Sequence, residues 1–147
     1  MPGRFETTVV IDRPIEEVFA FLADGENDPK FSPRVQKIAK TTEGPPGPGT
    51  VYASTVKDAG MTTQREFRLT EFQPPTRIRW TEISKNMVSA PEGGYDLAPE
   101  GGGTRVRFYN VLEGHGVGKL IAPLALRAAR NGADDFGRAI KRAVEAP

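Results

Sequence analysis

The chemistry open to this chain is limited by three features: a single histidine, no cysteine, and a few polar residues that strand alternation turns inward. The histidine, His115, lies in LEGHGVGKL between a predicted strand and a predicted helix. Imidazole is the side chain most often used as a general base. One histidine cannot build a three-His metal site or an H-E-x-x-H helix, and without cysteine there are no disulfides, zinc–thiolate sites or thiol nucleophiles. No metal or cofactor is therefore expected. Gly114, Gly116 and Gly118 do not make a phosphate loop either. Glu113 stands where the Walker pattern needs a glycine, Leu120 where it needs Ser or Thr, and no parallel β-α-β unit surrounds them.

The other candidates come from alternation. In TRVRFYNVLE, Val106, Phe108, Asn110 and Leu112 share one face, and Arg105, Arg107, Tyr109 and Val111 the other. The arginines belong in water, so Asn110 points inward. In RIRWTEIS, Ile78 and Trp80 carry Glu82 and Ser84 in with them. Phe67 and Leu69 go inward from TQREFRLTEF, as do Tyr95 and Leu97 from GYDLA. The expected lining is Phe67, Leu69, Ile78, Trp80, Tyr95, Leu97, Val106 and Phe108, with Glu82, Tyr95 and Asn110 as its polar groups. Buried polar groups are costly unless hydrogen-bonded, which makes these three candidates to orient a ligand. Glu82 in an apolar wall is a candidate general acid or base, with His115 the second. Whether Glu82, Asn110 and His115 reach one space stays open; strand-end positions at solvent are the alternative.

These residues need a frame. RFETTVVI reads as a strand, followed by a helix with Pro14 at its start, Glu16 and Glu17 in its first turn, and Ile15, Val18, Phe19 and Leu22 on one stripe. GENDPKFSP allows a turn or one short helix. From residue 35 the period is two: VQKIAKT, then TVYASTVK and TTQREFRLTEF across a DAGM connection, then RIRWTEIS, GYDLA and TRVRFYNVLE. KNMVSAPEG reads as irregular. A long helix runs from about Val117. Helices at the two ends of a run of hairpin-connected strands predict an α+β domain with an antiparallel sheet, the last helix lying across one face. In that helix, LALRAARNGADDFGRAI centres its apolar arc on Ala125, Ala129, Gly132 and Phe136, with Ala128, Ala133 and Ile140 nearby. Such small residues either let helix and sheet approach closely or leave room for a ligand.

With 147 residues, 37% hydrophobic and 27% charged, the chain suits one globular domain over residues 1–147. Net charge is +1, and the densest basic cluster (Arg127, Arg130, Arg138, Lys141, Arg142) reads as the solvated face of an amphipathic helix, so nucleic acid is not an expected partner. No apolar run approaches the roughly 20 residues of a membrane span, and MPGRFETTVV lacks a signal-peptide layout. The expectation is a cytoplasmic protein without stable membrane insertion, its oligomeric state open, with a dimer among the options.

Three segments, VVIDRPIEEVFAFLADGENDPKFSP, LTEFQPPTRIRW and YDLAPEGGGTRVRF, together resemble the START-like superfamily, and within it the polyketide cyclase/dehydrase-like branch of SRPBCC proteins. The resemblance runs from about Phe5 to Val144, with Phe31 where the family often has Trp. It implies the helix-grip fold, a curved seven-strand antiparallel sheet around a long C-terminal helix, with one or two short helices after the first strand. It also implies an apolar ligand such as a lipid, polyketide, sterol or aromatic metabolite between sheet and helix. The expected ligand-binding set is Phe67, Leu69, Ile78, Trp80, Tyr95, Leu97, Phe108, Asn110, Ala125, Ala128, Ala129, Gly132 and Phe136. Binding without catalysis is the leading expectation. The alternatives are a cyclase or dehydratase using Glu82 or His115, and a protein-interaction module docking by the sheet edge or cavity rim.

Overall fold

Seven antiparallel strands form one sheet in the order β1-β7-β6-β5-β4-β3-β2 in the computed structural model, which describes residues 2–58 and 60–147. The strands are β1 (Gly3–Ile11), β2 (Val35–Lys40), β3 (Val51–Asp58), β4 (Met61–Gln73), β5 (Arg77–Glu82), β6 (Val88–Glu100) and β7 (Gly103–Gly114). Helix α1 (Ile15–Ala23) and a short 3-10 helix (Gly25–Lys30) follow β1, and α2 (Gly118–Glu145) closes the chain. This is the helix-grip architecture. Ala59 of the predicted DAGM connection lies outside the described residues.

One strand is longer than its sequence suggests. β6 begins at Val88, inside the segment read as irregular. Pro91 and paired glycines are poor strand residues, and the chain accommodates them with a register shift between Ser89 and Glu92, where a bulge removes the need for Pro91 to donate.

The inner face carries a row Thr7–Phe108–Tyr95–Ile78–Phe72 and, beside it, a row Phe5–Asn110–Gly93–Trp80–Leu69. Leu69, Ile78, Tyr95, Leu97, Val106 and Phe108 are buried and join Val18, Phe19 and Leu22 of α1 and Ile140 of α2 in one core. The outer face is unusual for its tyrosine. Tyr109 is only 2% exposed, because the guanidiniums of Arg4, Arg79 and Arg107 lie over its ring at 4.5, 5.1 and 4.9 Å.

α2 packs on β1 and β7, with a lighter touch on β6. Its polar ties run to β1: Arg130 Nε donates to Arg4 O at 3.0 Å, Lys141 Nζ to Val10 O at 2.9 Å, and Thr7 Oγ1 to Asp134 at 2.9 Å. The small residues of α2 divide into two groups on the helical wheel. Ala133 and Gly137 are buried on the tied side, and a Cβ on Gly137 would sit 3.0 Å from Thr7 Oγ1. Gly132 lies on the other flank, where a Cβ would meet nothing within 4 Å. Close packing thus explains Gly137 and open space explains Gly132. The beginning of α2 exposes Val117, Leu120, Ile121 and Leu124, an apolar stripe that the sequence pattern does not reveal.

Candidate functional site

Trp80 and Asn110 flank Gly93 in one cross-strand row, and the indole Nε1 donates to Asn110 Oδ1 at 3.0 Å over the glycine. A Cβ on Gly93 would collide with both groups, reaching 2.7 Å from Trp80 Cε2, so glycine is what allows this bridge. Next to it stands an aromatic cluster. Trp80 and Tyr95 centroids are 5.2 Å apart, Tyr95 and Phe108 5.6 Å, Phe108 and Phe136 4.9 Å, and Phe136 and Phe31 5.6 Å. Phe31 therefore fills an aromatic role at the rim of this cluster, which links the sheet to α2 and to the end of the short helix.

The short helix contributes a group absent from the expected set. Side chains three residues apart eclipse one another in a 3-10 helix. Gly25, Asp28 and Phe31 share that spacing: Phe31 is buried, and Gly25 lies against the Tyr52 ring. Asp28 is carried to the same inward side. Burial, and secondarily the charge of Asp24, pushes its carboxyl up to about 7. Tyr95 is held well above its ordinary value, by burial first and then by the Asp28 charge, which places the two groups within each other's field. The Asp28 carboxyl, the Tyr95 hydroxyl and the Asn110 amide nitrogen have no hydrogen-bond partner among the described residues. No side-chain N or O atom there is both fully enclosed and unpartnered. Each of the three must therefore open onto accessible space rather than being sealed in the core.

Glu82 is turned inward, as alternation requires, but its carboxylate is occupied. Arg65 Nη1 donates to Oε1 at 3.1 Å and Oε2 at 3.3 Å, Ala90 N to Oε1 at 2.9 Å, and Ser84 Oγ and Asn86 Nδ2 to Oε2 at 2.7 and 2.8 Å. Its side chain is 0% exposed. These bonds occupy the carboxylate expected to act as an acid or base, and they hold the β5–β6 connection. His115 bonds to the residue before Ala90, Ser89. Its side chain is 52% exposed, with Nε2 2.7 Å from Ser89 Oγ and 3.9 Å from Glu113, and its backbone N–H donates to Met87 O. It fastens the β6 bulge to the start of α2. Glu82 and His115 share no hydrogen bond among the described residues, although their partners Ala90 and Ser89 are neighbours in the chain.

Of the expected lining, Leu69, Ile78, Tyr95, Leu97 and Phe108 are buried, while Phe67, Trp80, Asn110 and Phe136 are half-buried. Ala125, Ala129 and Gly132 are half-buried on α2. Ala128 is exposed, at the outer edge of that flank. Grooves open at the surface on either side of the short helix. One, of about 340 Å³, runs between the short helix and α2, lined by Pro29, Lys30, Phe31, Pro33, Ala139, Arg142 and Ala143. The other, of about 330 Å³, lies over α1 and is lined by Phe19, Ala20, Ala23, Asp24, Glu26, Lys40, Pro46 and Phe72. Both open at the surface, and between them and the sheet the Phe108 and Phe136 rings meet with their centroids 4.9 Å apart.

Residues 2–145 match the family described as polyketide cyclase / dehydrase and lipid transport. The chain belongs to this family. Solved structures share its architecture over nearly the full length. A protein from Thermus thermophilus superposes with a TM-score of 0.81 at 19% identity, covering 98% of each chain. The Zhui aromatase/cyclase from a Streptomyces species gives 0.78 at 19% identity, covering 98% of this chain and 92% of that one. A START superfamily protein from Mycobacterium smegmatis gives 0.76 at 16% identity, covering 97% of both. At these identities the likeness is one of fold, the START-like helix-grip. No curated protein matches the sequence. No helix of this polyketide cyclase/dehydrase-family protein, among the described residues, is long and apolar enough to cross a membrane.

Proposed function

We propose that this chain binds a flat hydrophobic small molecule between the Trp80–Tyr95–Asn110 wall and the free flank of α2. The observation that carries the reading is the Tyr95 hydroxyl, which lies deep among aromatic rings without a protein partner and yet opens onto accessible space. A phenol in that position serves a ligand as a hydrogen-bond donor while the surrounding rings supply apolar contact. Gly132 supports the reading, because the space over it is empty. The ligand class fits the lipid or aromatic compounds implied by the family.

Trp80 is the only tryptophan, so its emission reports on the site directly. Organic extracts of the purified protein, read by mass spectrometry, should contain a bound apolar compound, and adding that compound back should quench Trp80. Gly132→Leu should weaken binding at least tenfold with the unfolding midpoint retained. Extracts free of any such compound, or a Gly132→Leu variant that binds as tightly as the parent, would overturn the reading. A second reading, cyclase- or dehydratase-like chemistry in the same place, is favoured by one observation: the Asp28 carboxyl sits near neutrality, the range that suits a general acid or base. Turnover of a poly-β-ketone that survives Asp28→Asn would count against it.

A further inference from the structure

Asp28 is half-buried, lies three residues before buried Phe31, and pairs with no cation among the described residues. Several other acids have a cation beside them. Glu82 has Arg65, Asp96 has Arg77, Arg79 and Arg107, and Asp58 has Arg34. The groups facing Asp28 are Asp24 from the end of α1, Tyr52 from β3 and Tyr95 from β6, all of them acidic or neutral. Lys30 and Arg142 line the neighbouring groove between the short helix and α2, but neither pairs with Asp28. An ionised carboxylate in such surroundings is costly without a counter-charge. Phe31, three residues on from Asp28, begins a chain of rings that runs through Phe136 and Phe108 to Tyr95, and aromatic ring faces attract cations.

We propose that the missing counter-charge is supplied by the ligand: the site takes an aromatic or polycyclic molecule bearing an ammonium group, which pairs with Asp28 while its apolar body lies along the Trp80–Tyr95–Phe108 wall. This rests on the small-molecule reading above and narrows it to a cationic amphiphile. The Tyr95 hydroxyl stays protonated, since burial and the Asp28 charge both raise it, and so remains neutral beside the ion pair. Binding is then linked to pH, because the carboxyl must lose its proton to pair. With the group near 7, about 3% is ionised at pH 5.5 and about 90% at pH 8, so an ammonium ligand should bind about 30-fold more tightly at the higher pH. A primary alkylamine remains charged across that interval, as a lysine does.

The test uses two probes of nearly the same shape, 2-aminotetralin and the neutral 2-tetralol, titrated into the full chain and followed by Trp80 emission and by calorimetry. The amine should bind at least tenfold more tightly than the alcohol at pH 8, and its advantage should vanish at pH 5.5. Asp28→Asn should cut amine affinity by about 10- to 100-fold, abolish the pH dependence and leave the alcohol within about twofold. Asp28→Glu, which keeps the charge, should retain part of the preference. If the alcohol binds and the amine binds no better at pH 8, or if the preference survives Asp28→Asn, the cation site is refuted while the hydrophobic-binding reading stands. If neither probe perturbs Trp80 or releases heat, both readings fail for this scaffold.

Discussion

Replacing Gly93 by alanine puts a methyl group where the Trp80 indole crosses to Asn110. In a strand this change usually helps, since glycine gives up more backbone freedom on folding than alanine does. Here the added Cβ falls inside the contact distance of the indole ring, 2.7 Å from Cε2, and of the Asn110 amide. The indole must move away and the 3.0 Å bond must break. Overpacking of this kind costs about 1–3 kcal/mol and the lost hydrogen bond about 1 kcal/mol, giving a total of roughly 2–4 kcal/mol. For a chain of this length that lowers the melting temperature by on the order of 10 °C. Urea unfolding followed by Trp80 emission and by circular dichroism measures both consequences, a lower midpoint and a shifted native emission maximum. Asn110→Ala separates the two effects: it removes the bond without the clash and should destabilise by about 1 kcal/mol. A Gly93→Ala protein within about 0.5 kcal/mol of the parent, with unchanged native emission, would refute the view that glycine is there to let the bridge pass.

The two helical glycines should respond oppositely. Gly132→Ala should stabilise by about 0.5–1 kcal/mol, since helix propensity improves and nothing lies within 4 Å, whereas Gly137→Ala should gain nothing or lose stability against Thr7 at 3.0 Å; thermal unfolding of both variants decides it. Glu82→Ala should destabilise by about 3 kcal/mol, because it leaves Arg65 half-buried without its carboxylate and unfastens the β5–β6 connection; equal urea midpoints would contradict the structural role. Stability should also depend on pH through Asp28. Its folded pKa is raised from 3.8 to about 7, so between those values the folded state holds a proton that the unfolded state has lost. This contribution makes stability fall as pH rises through that window and level off above it, by at most about 4 kcal/mol. Asp28→Asn should flatten this decline and be more stable than the parent at pH 8 but not at pH 4, in denaturant titrations at both values.

Much of the sheet can be read from the sequence because β-strand alternation leaves little freedom: once the arginines of β7 are assigned to water, Phe108 and Asn110 must face in, and their neighbours follow. Orientation, however, does not reveal occupancy. Glu82 points inward as the pattern requires, but its four partners come from β4, from the residues just beyond β5 and from the bulged start of β6, and alternation cannot foresee that convergence. The start of β6 is hidden because Pro91, Gly93 and Gly94 carry poor strand propensity, and only the bulge and the Trp80 bridge give them a reason to be there. Asp28 sits in what reads as a proline-broken turn. The signal available is its three-residue spacing to Phe31, which becomes informative only if the segment is a 3-10 helix rather than a loop. In α2 the small residues serve two purposes at once, and composition alone does not separate Gly137 from Gly132.

Among the described residues the polar ties of α2 run along β1 and to Asp12 and Arg13 just beyond it, and this asymmetry has a mechanical consequence. A cylinder stitched along one side swings about its seam like a door, and its free edge travels furthest. That edge carries Ala125, Gly132, Ala139 and Ala143, none larger than a methyl group, and faces the short helix across the groove at Ala139 and Ala143. A small roll of α2 about the seam widens the gap beside Phe31 while leaving the sheet register and the bonds to Arg4 and Val10 in place. For the proposed ligand, the width of that gap would then be governed from the seam at β1 rather than by the residues bordering the gap.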